Sequence, residues 1–178
     1  MFKKDVYIER RKKLKGLVKS GIILIPGNNE SPMNYPSNGY HFRQDSNFLY
    51  FFGQDIPGMM GVIDADTGDE YIFADDVDIE DIVWMGPQPS IKALAAEVGV
   101  DKTDKFGALA GFLKTAKQKK RKIHFTPQYR HDLMIYIHNV LDIPFDGMND
   151  HASEELIKAC VELRSIKDQY EIAEIDKA

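Results

Sequence analysis

One cysteine and one tryptophan stand among 178 residues. Cys160 has no partner for an internal disulfide, so cross-links do not hold this fold, and a reducing cytoplasm is the expected location. Its place on the stripe Leu156, Cys160, Leu163 of a predicted helix marks it as a buried hydrophobe rather than a nucleophile. No apolar run approaches the roughly 20 residues that cross a bilayer, which argues against a membrane protein. The start, Met1-Phe2-Lys3-Lys4-Asp5, lacks the order of a secretory signal. Absent too are a Gly-x-Ser-x-Gly elbow, a phosphate loop, a dinucleotide-type Gly-rich turn, His-Glu-x-x-His and Cys-x-x-Cys. These residues are expected to hold neither a catalytic group nor a metal ligand set of their own.

What is present is an ordinary soluble composition, 43% hydrophobic and 29% charged, with length for one compact domain. The net charge of −5 is uneven. Residues 1–20 carry eight Lys or Arg against two Asp or Glu, a balance of +6, which leaves −11 on the rest. In that basic start the charges interleave with Val6, Tyr7, Leu14, Leu17 and Val18 at helical spacing, the pattern of an amphipathic helix with a solvated basic face. An acidic chain of this kind is a poor partner for nucleic acid.

Along the chain, residues 3–19 read as a helix and Ile22–Pro26 as a buried strand, the opening of an α/β pattern. Residues 27–38, rich in Gly, Asn, Ser and Pro, form a long loop of the kind that serves function or assembly. A polar run, Arg43-Gln44-Asp45-Ser46-Asn47, then passes into the apolar run Phe48–Phe52 closed by Gly53, which reads as a loop feeding a buried central strand. Two further strands, 59–64 and 70–74, meet at a tight turn where Gly68 supplies positive φ, giving an antiparallel meander. The carboxylate-rich run 75–81 has no His or Cys beside it and lacks the pattern of a calcium loop, so it reads as a solvated acidic turn or helix start.

Ser90 is the expected N-cap of a short helix ended by Gly99, and Lys105–Lys117 forms another. A strand over 123–126 and a helix over 127–141 follow, the helix with Leu133, Ile137, Val140 and Leu141 inward. His131 and His138 share that helix, but two histidines without a third ligand are ordinary surface residues. Ser153 caps a helix over 154–164, and the last segment, 167–178, is helical in spacing without a stop signal.

The pattern Tyr40-x-Phe42-Arg43-Gln44-Asp45-Ser46-x-Phe48-x-Tyr50-x-x-Gly53 closely resembles the signature of the N-terminal domain of aminopeptidase P, the Xaa-Pro aminopeptidases. Leu163-Arg164-Ser165-Ile166-Lys167-Asp168-Gln169-Tyr170-Glu171-Ile172 resembles the hinge that leads into the catalytic domain of those enzymes. The resemblance implies an α/β fold, a mixed β-sheet flanked by helices on both faces, similar to the creatinase/prolidase N-terminal domain with its ribonuclease H-like motif. It implies a domain over 1–165 and, over 166–178, a hinge and the start of a catalytic domain. It further implies a homodimer or homotetramer acting on peptides with proline second, and two manganese ions held by two Asp, one His and two Glu in a following domain.

For a domain of that kind the remaining work is oligomerisation and shaping of a substrate channel. The channel candidates are Trp84, Arg43 and Asp45, together with the turn at 54–58. Composition alone puts Trp84 in the core, whereas the resemblance implies that it reaches a neighbouring subunit's active site. Arg43 is placed to grip a carboxylate bidentately or, equally, to pair with Asp45. The alternatives are a prolidase- or creatinase-type hydrolase, and a peptidase-like module that only binds proteins.

Overall fold

The structure, a computed structural model, describes residues 2–35, 38–78, 82–84 and 86–177. Its elements are α1 (Lys4–Val18), β1 (Ile22–Pro26), α2 (Ser46–Phe52), β2 (Met60–Asp64), β3 (Glu70–Phe73), α3 (Ile91–Glu97), β4 (Lys102–Asp104), α4 (Ala108–Gln118), β5 (Ile123–His124), α5 (His131–Leu141), a 3₁₀ turn (Met148–His151), α6 (Glu154–Ser165) and α7 (Gln169–Ile175). The strands form one sheet in the order β4-β3-β2-β1-β5. The β1–β2 and β2–β3 pairs are antiparallel and the two outer pairs parallel, so the sheet is mixed as expected.

Alternation along β1 explains the layering. Ile23 and Ile25 point to one face, where α1, α2, α3 and α6 bring Leu14, Phe48, Leu94 and Leu156. Ile22 and Leu24 point to the other, against Leu109 and Leu113 of α4 and Leu133 and Ile137 of α5. All five β1 residues are buried because both faces are covered. Gly61 in β2 permits the closest approach, since a Cβ there would lie 2.2 Å from the Phe52 ring.

Three expectations are corrected. The run Phe48–Phe52 is not the central strand but the helix α2. The Asp45 carboxylate accepts from the amides of Asn47 and Phe48 at 2.8 and 2.9 Å, and Gly53 closes the helix at φ 66° with its N–H on Leu49 O. Phe48, Phe51 and Phe52, spaced i, i+3, i+4, are the buried set, which is helical periodicity inside an apolar run.

The basic face of α1 is not wholly solvated, because Arg10 and Arg11 are buried. The third correction concerns boundaries. The helix read over 127–141 begins at His131, the strand read over 123–126 stops at His124, and β4 was not foreseen.

The helix expected over Lys105–Lys117 is Ala108–Gln118, whereas three local expectations hold. Ser90 Oγ accepts from Ala93 N, Ser153 Oγ accepts from Leu156 N, and Gly68 has φ 84°. Cys160 is buried, which pushes its thiol up to about 11. In the acidic run, Asp75 and Asp76 accept from the backbone amides of Phe106 and Ile91; residues 79–81 lie outside the described residues.

Candidate functional site

The long loop between β1 and α2 folds over the end of the sheet because one amide organises it. Gln44, buried, accepts from Asn28 N at 2.6 Å and Asp45 N at 2.9 Å through Oε1 and donates through Nε2 to Ile56 O at 2.8 Å. Asn28 Nδ2 donates to Arg43 O, and Tyr40 N to Ser31 O, which closes the loop on itself. Sequence reasoning passed over Gln44 as one polar residue in a run; its primary amide both donates and accepts, but so do Ser46 and Asn47 beside it, and nothing in the run singles it out.

From the N-cap position of α5 the loop receives Arg130, whose Nη2 donates to Asn29 O at 3.0 Å and whose Nε donates to Asp132 at 3.2 Å. Asn29 Nδ2 also donates to Asp132 at 2.9 Å. Burial would raise the Asp132 carboxyl, but the hydrogen bonds from Asn29 and Arg130 outweigh it and hold the group below its ordinary value.

Together these segments enclose a polar cleft of about 620 Å³ rimmed by Tyr40, His41, Arg43, Ser46, Asn29 and Arg130. Arg43 is exposed there, and among the described residues its side chain has no hydrogen-bond or ion-pair partner. The alternative pairing with Asp45 does not form, because the Asp45 carboxylate is occupied by the amides of α2. Asp45 nevertheless lines the same cleft, so two of the three candidates are brought together.

Trp84 does not line it; it lies in a short helical stretch, 87% exposed, and is therefore not core. In the turn at 54–58, Gln54 is buried and donates to Leu94 O at 2.7 Å, so that residue is a strut rather than a surface.

The nearest approach to a nucleophile and base is Ser153 Oγ, 2.6 Å from His124 Nδ1, and both residues are buried. His124 Nε2 faces the Ser20 carbonyl at 3.0 Å, and a carbonyl only accepts, so the ring proton sits on Nε2 and the Ser153 hydroxyl donates to Nδ1. Ser153 is spent on capping α6 and has no route to a substrate.

His131 stacks on Phe145, and His138 donates from Nδ1 to Ile143 O at 2.7 Å. Among the described residues no group of three or more His, Cys, Asp or Glu is arranged to hold a metal ion. What the cleft offers is recognition: an unpaired guanidinium, a fixed one, and backbone and amide groups for hydrogen bonding.

Known proteins place this architecture. Human Xaa-Pro dipeptidase is 30% identical over 109 residues, covering 61% of this chain and 22% of that protein. A protein described as a probable Xaa-Pro aminopeptidase, from Uncinocarpus reesii, is 23% identical over 163 residues, 89% of this chain and 32% of that one. The chain thus spans a third or less of the length of these two relatives.

Among solved structures, a histidine-to-alanine variant of Escherichia coli aminopeptidase P matches with a TM-score of 0.75 at 20% identity, over 97% of this chain and 41% of that one. Proline aminopeptidase P II from Yersinia pestis matches with a TM-score of 0.75 at 18% identity, over 97% and 41%. At these identities the likeness is one of fold. The family model described as aminopeptidase P, N-terminal domain, matches residues 7–124, and with a match of that extent the chain belongs to that family.

Proposed function

We propose that these residues are the front part of a metal-dependent Xaa-Pro aminopeptidase, which removes the N-terminal residue from peptides with proline second. The observation that carries this reading is the family match over residues 7–124 in a chain that spans only 32% of an aminopeptidase relative. On this reading residues 1–165 are the domain and 166–178 the hinge into a catalytic part. The two manganese ions expected from the resemblance belong to chain outside these residues. Among the described residues no group of side chains fits such a centre, and no catalytic step is assigned to them.

The domain's own part in this proposal is to build a homodimer or homotetramer and to wall a substrate channel. Support comes from Trp84, a large apolar side chain 87% exposed, and from the cleft that presents Arg43. A cytoplasmic location rests on the single, buried thiol.

The 30% identity to a dipeptidase favours a second reading, a prolidase-type hydrolase. Assay of the longer protein with manganese separates them. Release of the first residue from Xaa-Pro peptides of three or more residues supports the aminopeptidase, cleavage confined to Xaa-Pro dipeptides supports the prolidase, and no turnover by the metal-loaded protein rejects both in favour of a binding module.

A further inference from the structure

The helices α1 to α6 each bury at least two residues, whereas α7 buries none. Ile172 and Ile175 of α7 are exposed. Apolar burial therefore does not hold this helix in place, and its attachment is polar. Arg10 of α1 donates from Nη2 to Asp168 Oδ2 at 2.8 Å and lies 3.5 Å from Glu171 Oε2. The guanidinium itself is buried and fixed: it sits 3.9 Å above the Tyr50 ring and 5.0 Å from the Phe2 ring, and Nη1 donates to Tyr50 O at 3.2 Å.

Asp168 does two jobs with separate oxygens, and Glu171 does two with one, Oε2. Asp168 Oδ1 accepts from the amides of Tyr170 and Glu171, each at 2.9 Å, and Glu171 Oε2 accepts from Asp168 N at 3.2 Å. This capping box keeps α7 helical. Asp168 Oδ2 is left for Arg10.

The point of rotation is equally defined. The end of α6 is tied to α2, with the Tyr50 hydroxyl donating to Leu163 O at 2.7 Å and Arg164 to Asn47 Oδ1 at 2.5 Å. Ile166, next in the chain, is extended at φ −105° and ψ 119°, with its side chain exposed. The end of α6 is thus anchored to the body of the fold, and beyond Ile166 the contacts among the described residues are the Arg10 ion pair, the rings beside it and a hydrogen bond from Lys167 Nζ to Arg164 O.

We infer that Arg10 is the pin of a latch. Paired with Asp168 and Glu171 it holds α7 down against α1 and α2; with those charges gone, α7 swings away about Ile166 and, too short to stay helical without partners, frays while the rest of the fold is unchanged. The latch fixes the direction in which the chain leaves the domain. It stands on geometry alone and does not depend on the peptidase reading.

The test uses the 178-residue chain with Asp168→Asn and Glu171→Gln combined. Asn still caps a helix and Gln still completes a capping box, so these changes remove charge and leave the helix ends satisfied. Hydrogen exchange of the amides of residues 170–175 should accelerate about tenfold or more, and trypsin should cut faster after Lys167, while α1 to α6 keep their protection. Arg10→Met, which breaks the latch from the other side, should reproduce the local acceleration. Unchanged exchange in the Asn/Gln variant overturns the latch. So does loss of protection throughout the chain, because α7 would then be part of the cooperative core.

Discussion

Arg11 is a guanidinium buried completely, and every arm has work. Nε donates to Glu70 at 2.7 Å, Nη1 to Phe51 O at 2.8 Å, and Nη2 to Val98 O at 2.8 Å and Gly99 O at 3.2 Å. Burial pulls its pKa down, partly countered by Glu70, which also takes Lys15 at 2.8 Å. One side chain thereby joins α1, α2, β3 and the end of α3. Arg11→Met should cost about 3 kcal/mol or more by chemical denaturation, since carbonyls and a carboxylate lose their donor together. Arg11→Lys should recover part of the loss, because a point charge reaches fewer partners than a fork. The position was legible: Tyr7, Arg11, Leu14 and Val18 share one helical stripe, and the weight of Lys in the same segment hid it.

His124 supplies the pH dependence at this scale. Burial, with Lys122 nearby, lowers its pKa from the ordinary 6.5. Above pH 6.5 the ring is neutral in both states. Below it the unfolded chain takes up a proton that the folded chain resists, so stability falls as pH drops through 6.5 toward the lowered folded value. Urea midpoints at about pH 7.5 and about pH 5.5 should show this loss, and His124→Gln should flatten it. An equal loss in the variant would assign the effect to other groups.

Among the elements, α2 shows how local chemistry overrides a composition. Five apolar and aromatic residues in a row suit a buried strand, but Asp45 ahead of them and Gly53 behind them are start and stop signals of a helix. Gly53 is doubly required: φ is 66°, and a Cβ would sit 2.3 Å from the Tyr7 ring. The cap also bears on the candidate site, because Asp45 lines the cleft while its Oδ1 serves the helix. Asp45→Ala should cost about 1 kcal/mol through the lost cap, and Asp45→Asn close to none. A change in peptide turnover by the Asn variant of the longer protein, at unchanged stability, would therefore report on the cleft and not on α2.

By contrast β4 had no legible pattern. Its Lys102-Thr103-Asp104 is strand only because the edge of β3 pairs with it, which is a property of the fold and not of three residues.

At the scale of the whole molecule, the layers follow from alternation in β1 and from the stripes of α4, α5 and α6, all readable from spacing. The cleft was only half readable. Arg43 and Asp45 stand close in sequence, whereas Arg130 reaches the same cleft from about 90 residues away, and no periodicity announces such a meeting. Trp84 belongs to this scale because, 87% exposed, it does little inside its own chain. Trp84→Ala should leave the thermal midpoint of the 178-residue chain nearly unchanged, a shift within about 0.5 kcal/mol. In the longer protein the same variant should keep its metal content and lose activity on longer peptides. Unchanged kinetics there would remove Trp84 from the channel.

The sharpest consequence of the proposed division of labour concerns the chain alone. Peptide hydrolysis requires a nucleophile, a base and stabilisation of the developing oxyanion within reach of one another. Among the described residues the one hydroxyl paired with an imidazole, Ser153 with His124, is buried and committed to a helix cap, and the cleft that is open offers guanidinium and amide groups without a base aligned to a nucleophile. Purified residues 1–178 should therefore release no product from Xaa-Pro peptides with or without added manganese, while binding such peptides weakly at most through the Arg43 cleft. Turnover that survives repurification and vanishes in Arg43→Gln would place the chemistry in the cleft itself, and the assignment of the reacting groups to a separate part of a longer protein would fail.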